Sequence, residues 1–490
     1  MNQPLFQSLS RRTLIGASIA TLIPQWVMQD SEAADSLIFQ VLVGAPSANS
    51  AILNVISNQS SAFYIEYGYS KTSFSKRTLE KVATSGEPIE VNLSTLKANS
   101  RIYYRVVFKN GSSYLRTSAS SFYTQRSKSS SFSFTVQGDT HPERAGKMFN
   151  AELYQVTLAN IATQSPDFHI MLGDDFSIDP IIGKGQANKA NVENIYKTHR
   201  QWLSKIGNNT PIYLVNGNHE QAASYLLDGT DSNPAVLAGN ARLKYYPLPQ
   251  PDTFYSGDTT EIPFVGRARD YYAWQWGDAL FVTLDPYWHS TSAVDNVAGV
   301  SNEQDQQNKK NGGAGSKNKD LWQVGLGDEQ YLWLKKTLES SAAKYKFVFA
   351  HHVMGTGRGA VEVSYHYEWG GKDPAGKTTF AAERPNWTLP IHDLMVKNKV
   401  NIFFQGHDHI FVTQERDGLI YQSMPNPADD TFSMFNEQAY LTGTKAPNSG
   451  HVRVTVAPTS AKVEYFLAAR GSDSSRKNLT VAHSYTVSPK

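Results

Sequence analysis

Five times between residues 132 and 409, a short apolar run breaks off into a cluster of Gly, Asp, Asn and His. Phe134-Thr135-Val136 leads to Gly138-Asp139-Thr140-His141, and Ile170-Met171-Leu172 leads to Gly173-Asp174-Asp175. Tyr213-Leu214-Val215 leads to Gly217-Asn218-His219-Glu220, Phe347-Val348-Phe349-Ala350 to His351-His352, and Ile402-Phe403-Phe404 to Gly406-His407-Asp408-His409. The runs read as strands, with Phe132–Val136, Phe168–Leu172, Ile212–Val215, Leu280–Leu284, Phe347–Phe349 and Ile402–Phe404 as their extents. Helical patterns, Glu143 to about Thr163 and Gln330 to Leu338, lie between them. Such alternation specifies an α/β domain. In open α/β sheets ligands bind outside the carboxyl ends of the strands. If the strands are neighbours, the five clusters converge.

The donors suit a metal. Six of the 13 histidines fall in these clusters, beside two Asp and one Asn at matching positions. The chain has no cysteine, so a thiolate site, a disulfide framework and a thiol nucleophile are all excluded. The remaining N/O set fits Zn, Fe or Mn. It is too large for one ion and right for two. Asp139, His141 and His409 would hold one, and Asn218, His351 and His407 the other, with Asp174 bridging. Two ions ~3.5–4 Å apart form a clamp for in-line displacement at phosphorus, with a bridging hydroxide as nucleophile. Two divalent ions, two carboxylates and a hydroxide sum to about +1, which favours an anionic guest such as a phosphate ester.

The ordered set Asp139-x-His141, Gly173-Asp174, Gly217-Asn218-His219, His351 and Gly406-His407-x-His409 resembles the calcineurin-like metallophosphoesterase superfamily. That resemblance implies a four-layer α/β (α+β) fold, a two-sheet β-sandwich flanked by helices, and the metal roles given above. It implies that His219 hydrogen-bonds the phosphate and assists the leaving group. A fibronectin-like region in front resembles the architecture of the purple acid phosphatases. Those enzymes place substrate-contacting histidines in a stretch similar to Tyr365–Gly370, so His366 joins His219 and Asn218 in the candidate catalytic set. They also carry an iron-binding Tyr three residues after the bridging Asp. Here that position is Ser177, so no tyrosinate-to-iron colour is expected.

That N-terminal region, from 37 to about 125, reads as all-β. Runs at Leu37–Val43, Ala51–Ile56, Phe63–Tyr67, Ile89–Leu93 and Ile102–Phe108 alternate at period two between turn signals. The stretch Glu90–Lys97 leading into Tyr103-Tyr104-Arg105-Val106 resembles a fibronectin type III repeat. Ahead of it, Ser10-Arg11-Arg12-Thr13-Leu14 and the apolar run Leu14–Met28 resemble a twin-arginine export signal. That run falls short of the ~20 residues of a membrane span. Ser31, Ala33 and Ala34 offer a cleavage site. The expected organisation is a signal over 1–34, a fibronectin-like sandwich over 35–128 and the catalytic domain over 129–490. Period-two runs from Val452 to Val487 should close the catalytic domain, and the Gln-, Asn-, Lys- and Gly-rich stretch 302–320 reads as a surface insertion. The mature protein is expected to lack a membrane span and to work in the periplasm or outside the cell, after passage through the twin-arginine machinery.

A net charge of +2, from 46 basic and 44 acidic residues, gives no electrostatic footprint for a stable nucleic-acid partner. The expected partner is a small phosphate ester. The leading expectation is a phosphomonoesterase; a phosphodiesterase on the same site is the alternative, and a non-catalytic exported binding protein is a third class. Among the other polar residues, Glu220 should orient its loop or pair with a cation, with a catalytic role as the lesser alternative, and Asp175 and Asp408 should hold ligand histidines in one tautomer. His352 follows a ligand position and is read as lining the pocket or as structural. Asp285–His289 reads as a pocket wall or, in preference, as aromatic packing, and His169 reads as a satisfied core residue. Histidines 199, 392, 451 and 483 are expected at the surface.

Overall fold

A computed structural model describes residues 38–220, 226–291, 321–353 and 358–490. The twin-arginine-like segment with Arg11 and Arg12, and the insertion at 302–320, lie outside the described residues. No helix among the described residues is long and apolar enough to cross a membrane.

The N-terminal strands fall where the period-two runs placed them: Phe39–Gly44, Ala51–Ser57, Ser61–Gly68, Pro88–Leu93 and Arg101–Asn110. The first, second and fourth of these form one sheet. Ser61–Gly68 and Arg101–Asn110 anchor the other, in which every pairing is antiparallel. Alternate side chains turn inward. Val41, Val43, Leu53, Val55, Phe63, Ile65, Ile102 and Tyr104 fill the space between the sheets. This all-β region fits a fibronectin type III-like domain.

Two larger sheets follow. In the first, Phe132–Gln137, Phe168–Met171 and Ile212–Leu214 run parallel, and Gly450–Ala457, Ser460–Leu467 and Val481–Val487 extend the sheet antiparallel on its other side. The period-two runs at the C-terminus thus form strands that extend the first large sheet. In the second sheet, Ala279–Thr283, Tyr345–Phe349, Ile402–Gln405 and Leu419–Ser423 run parallel. Parallel neighbours need long crossovers, usually helical. Helices Ala151–Gln164 and Lys189–Gly207 supply them for the first sheet, and Gly327–Ser340 and Ile391–Lys397 for the second.

The sheets face each other across an aromatic core. Phe134, Phe168, Trp274, Phe281, Phe347, Phe349 and Phe404 meet there, all at or near zero exposure. Phe134 stands edge-on to Phe281, with ring centroids 5.1 Å apart. The opposite faces pack on helices: Met171, Ile212 and Leu214 on Tyr154, Leu158 and Tyr196, and Val282, Val348 and Phe403 on Leu334, Leu338 and Leu394. The order is helix, sheet, sheet, helix. The chain is therefore a mixed α/β protein with the expected four layers behind an all-β region.

Two expectations are corrected. The helix expected from Glu143 starts at Ala151. Pro142–Arg144 is a single 3-10 turn, Gly146 takes a positive φ of 77°, and Asn150 caps the helix through Leu153 N–H at 3.0 Å. Histidines 199, 392 and 451 are buried, not at the surface. His392 hydrogen-bonds the Tyr421 hydroxyl and Asp417, at 2.7 and 3.0 Å, and His451 bonds Gln164 at 2.9 Å. His199 packs among Tyr154, Phe176 and Trp202. Partners far away in the chain create these sites, so local pattern carries no trace of them. His169 is indeed a satisfied core residue, bonded to Thr135 and Gln137 at 2.8 and 3.0 Å.

Candidate metal centre

The five polar clusters meet at one end of the paired sheets. Asp139, His141, Asp174, His351, His407 and His409 are between 0 and 3 % exposed, and Asn218 is 8 % exposed. The backbone is shaped for this meeting. His141, Asp174, His407 and His409 all take positive φ, between 48° and 68°. Non-glycine residues adopt that region at a cost and mostly where surroundings impose it. Two glycines allow the closest approaches. A Cβ on Gly406 would collide with Asp139 Oδ1, and one on Gly217 with Asp174 Oδ1.

Two groups of donors result. His409 Nε2 lies 3.0 Å from Asp139 Oδ2 and 3.1 Å from His141 Nε2. His351 Nε2 lies 3.1 Å from Asp174 Oδ2, 3.0 Å from Asn218 Oδ1 and 3.2 Å from His407 Nδ1. Asp174 Oδ2 stands between the groups, because His141 Nε2 is 3.6 Å away on the other side. Imidazole nitrogens facing each other at this distance cannot both be satisfied by one another as bare acceptors. Around a single ion with bonds of ~2.1 Å, adjacent donors stand roughly 3.0–3.4 Å apart. The observed spacings match, so the residues present fit two ions with Asp174 shared.

The electrostatics agree. Burial opposes a charge on His351, but Asp174 and Asp139 outweigh it and raise its pKa to about 10. Burial would also raise Asp174, yet His351 and His219 hold it well below the usual carboxylate range. His141 and His407 are pushed well down, by burial first and then by Arg144 and Arg358 respectively. His141 and His407 thus stay neutral, the form a ligand needs, while Asp174 and Asp139 hold on His351 a proton that a cation would displace.

Supporting contacts fix the rings. His141 Nδ1 meets Glu143 Oε1 at 2.8 Å, and His351 Nδ1 meets the Leu172 carbonyl at 2.7 Å, which turns each Nε2 toward the cluster. Asp175 and Asp408, expected in this role, touch no ligand histidine. Asp175 accepts from Thr140 Oγ1 at 2.7 Å, and Asp408 from Tyr440 Oη at 2.6 Å and Gly359 N at 2.8 Å. They tie loops together: Asp175 joins the loop after Met171 to the one carrying Thr140, and Asp408 joins its own loop to Gly359 and Tyr440. Glu220 does orient its loop: it accepts the N–H groups of Asp174, Phe176 and Gly217 at 2.7, 3.0 and 2.6 Å, and that of Asp175. The Tyr287 hydroxyl reaches His352 Nδ1 at 3.0 Å, so this pair closes one side of the cluster.

His219 borders both groups. Its Nε2 lies 3.8 Å from Asp174 Oδ2 and 3.4 Å from Arg144 Nη2, while Asp179 bonds its Nδ1. Burial opposes its charge, but Asp174 and Asp179 raise its pKa to about 9. Sequence reading missed Glu143, Arg144 and Asp179. Each sits in a loop or first helical turn where charged residues are ordinary, so no local signal marks them. His366 stands apart. It precedes the short helix Tyr367–Gly370, and its Nδ1 is buried without a partner. Among the described residues no hydrogen bond, ion pair or ring contact joins it to the cluster. Ser177 approaches His219 Nδ1 at 3.5 Å.

A family model described as calcineurin-like phosphoesterase matches residues 132–411. No curated protein matches significantly. Among solved structures, the chain is similar to GAP50, the anchor in the inner membrane complex of Plasmodium, at 11% identity and a TM-score of 0.34, covering 74% of this chain and 89% of that one. It is also similar to a myokine, at 19% identity and a TM-score of 0.15, covering 18% and 93%. A third is the sensor domain of the anti-sigma factor RsgI4 in Pseudobacteroides cellulosolvens, at 13% identity and a TM-score of 0.16, covering 18% and 76%.

Proposed function

Because the chain belongs to the calcineurin-like phosphoesterase family, a family of metal-dependent phosphoester hydrolases, we propose that it is an exported phosphomonoesterase working with two metal ions. The observation that carries this is the meeting of Asp139, His141, Asp174, Asn218, His351, His407 and His409, with two donor groups sharing Asp174. Asp139, His141 and His409 would hold one ion, and Asn218, His351 and His407 the other, with Asp174 shared. When bound, ions of the Fe, Zn or Mn kind would supply Lewis acidity toward the phosphoryl oxygens and a water-derived nucleophile. Ser177 offers no phenolate, so an iron-loaded protein is colourless in the purple sense.

The chain's own residues bind and protonate. Arg144, partly exposed beside His219, pairs with a terminal phosphate oxygen. A monoester dianion carries one more charge than a diester, and this cation favours it. Asn218 turns its amide Nδ2 toward the same phosphoryl group. As the bond from phosphorus to the leaving oxygen breaks, His219 delivers its Nε2 proton to that oxygen, and Asp179 keeps the ring aligned from Nδ1. His366 is the further candidate to contact the substrate. Export rests on the twin-arginine-like segment. Replacing Arg11 and Arg12 by Lys should retain the protein in the cytoplasm.

The test of the reaction compares kcat/KM for p-nitrophenyl phosphate and bis-p-nitrophenyl phosphate. The chain from residue 35 on is supplied with Mn, Zn or Fe. A clear preference for the first is expected. Preference for the second reassigns the site to diesters, and no turnover of either with any metal sinks the reading.

A further inference from the structure

A second group of ionisable side chains is buried outside the seven. Asp258 follows strand Ser256–Gly257, which pairs with Tyr272–Trp276, and Asp258 N–H donates to the Tyr271 carbonyl at 3.1 Å. That pairing sets Asp258 beside Asp270. His289 arrives from beyond strand Ala279–Thr283, and its Nε2 lies 3.0 Å from Asp270 Oδ2. One donor atom from each of the three lies within 4.8 Å of the other two.

Both carboxylates are fully buried, and the His289 side chain is 15 % exposed. Asp258 Oδ1 accepts from Thr260 N at 2.8 Å. Asp258 Oδ2 and Asp270 Oδ1 are buried with no hydrogen-bond partner, so each carboxylate has an oxygen to give. Buried, unpartnered carboxylate oxygens are costly. The surroundings add negative charge: Asp285 interacts with Asp270, and Asp258, Asp270 and Glu329 all act on the Tyr271 phenol. Among the described residues no Lys or Arg pairs with Asp258 or Asp270; His289 is the one ion-pair partner. The strain registers as proton uptake. Burial and then Asp270 push Asp258 up to about 6 and Asp285 up to about 7.

We propose that Asp258, Asp270 and His289 bind a divalent transition-metal ion, Zn2+ or Mn2+, at a site separate from the seven-residue cluster. Two carboxylates cancel the ion's charge, and the imidazole selects a borderline metal over Mg2+ or Ca2+, which prefer all-oxygen shells. The ion pins the Ser256–Gly257 edge strand to the segment carrying Tyr287. That segment also reaches the main loops, because Asn216 Nδ2 donates to Asp285 Oδ2.

The test is elemental analysis of wild type, His289→Gln and the double variant Asp258→Asn/Asp270→Asn, each saturated with Zn2+ and freed of excess by gel filtration. Both variants should carry one ion fewer than wild type. The readout is a difference and not turnover, so it stands whatever the main cluster holds or does. His289→Gln keeps both carboxylates and serves if the double variant fails to fold. A wild-type metal complement in His289→Gln overturns the site and leaves His289 and Asp270 as an ion pair only.

Discussion

The N-terminal sandwich buries almost nothing that ionises, and the phosphoesterase domain behind it buries a great deal. Between residues 38 and 125 the buried polar side chains are Ser47, Asn54, Ser57, Ser121 and Thr124. No histidine occurs in that stretch; all 13 lie at or beyond residue 141. The second region buries Asp139, Asp174, Asp175, Glu220, Asp258, Asp270, Asp285, Glu368 and Asp408, and most of the histidines. Both regions pack sheets around apolar cores, so the need for a core does not explain the contrast. Burying a charge costs several kcal/mol unless partners compensate it. A region that accumulates such groups at the carboxyl ends of parallel strands has a use for them. A region that avoids them is free to be a scaffold.

The contrast is broken most severely at Asp174. Its Oδ2 faces His351 in one donor group and His141 in the other, so Asp174→Asn should lower kcat/KM on the order of 10^3-fold. The bound metal should fall with it. A variant that keeps activity within tenfold of wild type, with both ions, would place the chemistry elsewhere.

Acid sharpens the same contrast. Burial lowers His169, His199 and His451 to about 3. In the unfolded chain they take up protons near pH 6.5; in the folded chain they stay neutral until about pH 3. Stability is therefore full above pH 6.5 and is lost as pH falls toward 3, by about 3 kcal/mol for each histidine at pH 4. The sandwich has no such group. Of nine tryptophans, all but Trp26 lie at or beyond residue 202, so their fluorescence reports the phosphoesterase domain. That signal should collapse between pH 6 and pH 4, while hydrogen exchange still finds strands Phe39–Gly44 and Ala51–Ser57 protected. Simultaneous loss of both would show that the two regions share one acid-sensitive core.

What could be read in the sequence follows the same physics. The convergence of the seven candidate donors was legible because each follows an apolar strand directly, often through a glycine, and strand ends in α/β sheets converge. The sandwich was legible because period two is local. The residues that support the donors were not. Glu143 reaches His141 across one turn, and Asp179 reaches His219 across 40 residues. The Asp258, Asp270 and His289 group spans three segments with no common motif. His199, His392 and His451 looked like surface residues because polar side chains usually are, and their burial depends on partners that only the folded chain supplies. His366, suggested by family likeness, is tied to the cluster by no contact among the described residues, so only a bound substrate would bring the two together.

The smallest of the expected effects concerns how the two regions hold each other. Arg200, from helix Lys189–Gly207, is fully buried and crosses between them. Its Nη1 donates to Asn54 Oδ1 at 2.8 Å and to the Tyr245 carbonyl, and its Nη2 donates to the carbonyls of Asn54 and Gln40, the latter at 3.3 Å. Leu42 and Ile56 from the sandwich pack into the same helical layer. Arg200→Met keeps the apolar stem and removes every donor. Unpaired carbonyls in a buried seam cost roughly 1–3 kcal/mol each before relaxation, and for a chain this long the thermal midpoint should fall by only a few degrees. The informative change is in shape. If Arg200 couples the regions, wild type melts in one transition by tryptophan fluorescence and by far-ultraviolet dichroism, and Arg200→Met separates the two signals. A single unshifted transition in the variant would assign the coupling to the Leu42 and Ile56 contacts and to the Arg126–Asp167 pair, whose bonds of 2.5 and 2.9 Å join the end of the sandwich to the first large sheet.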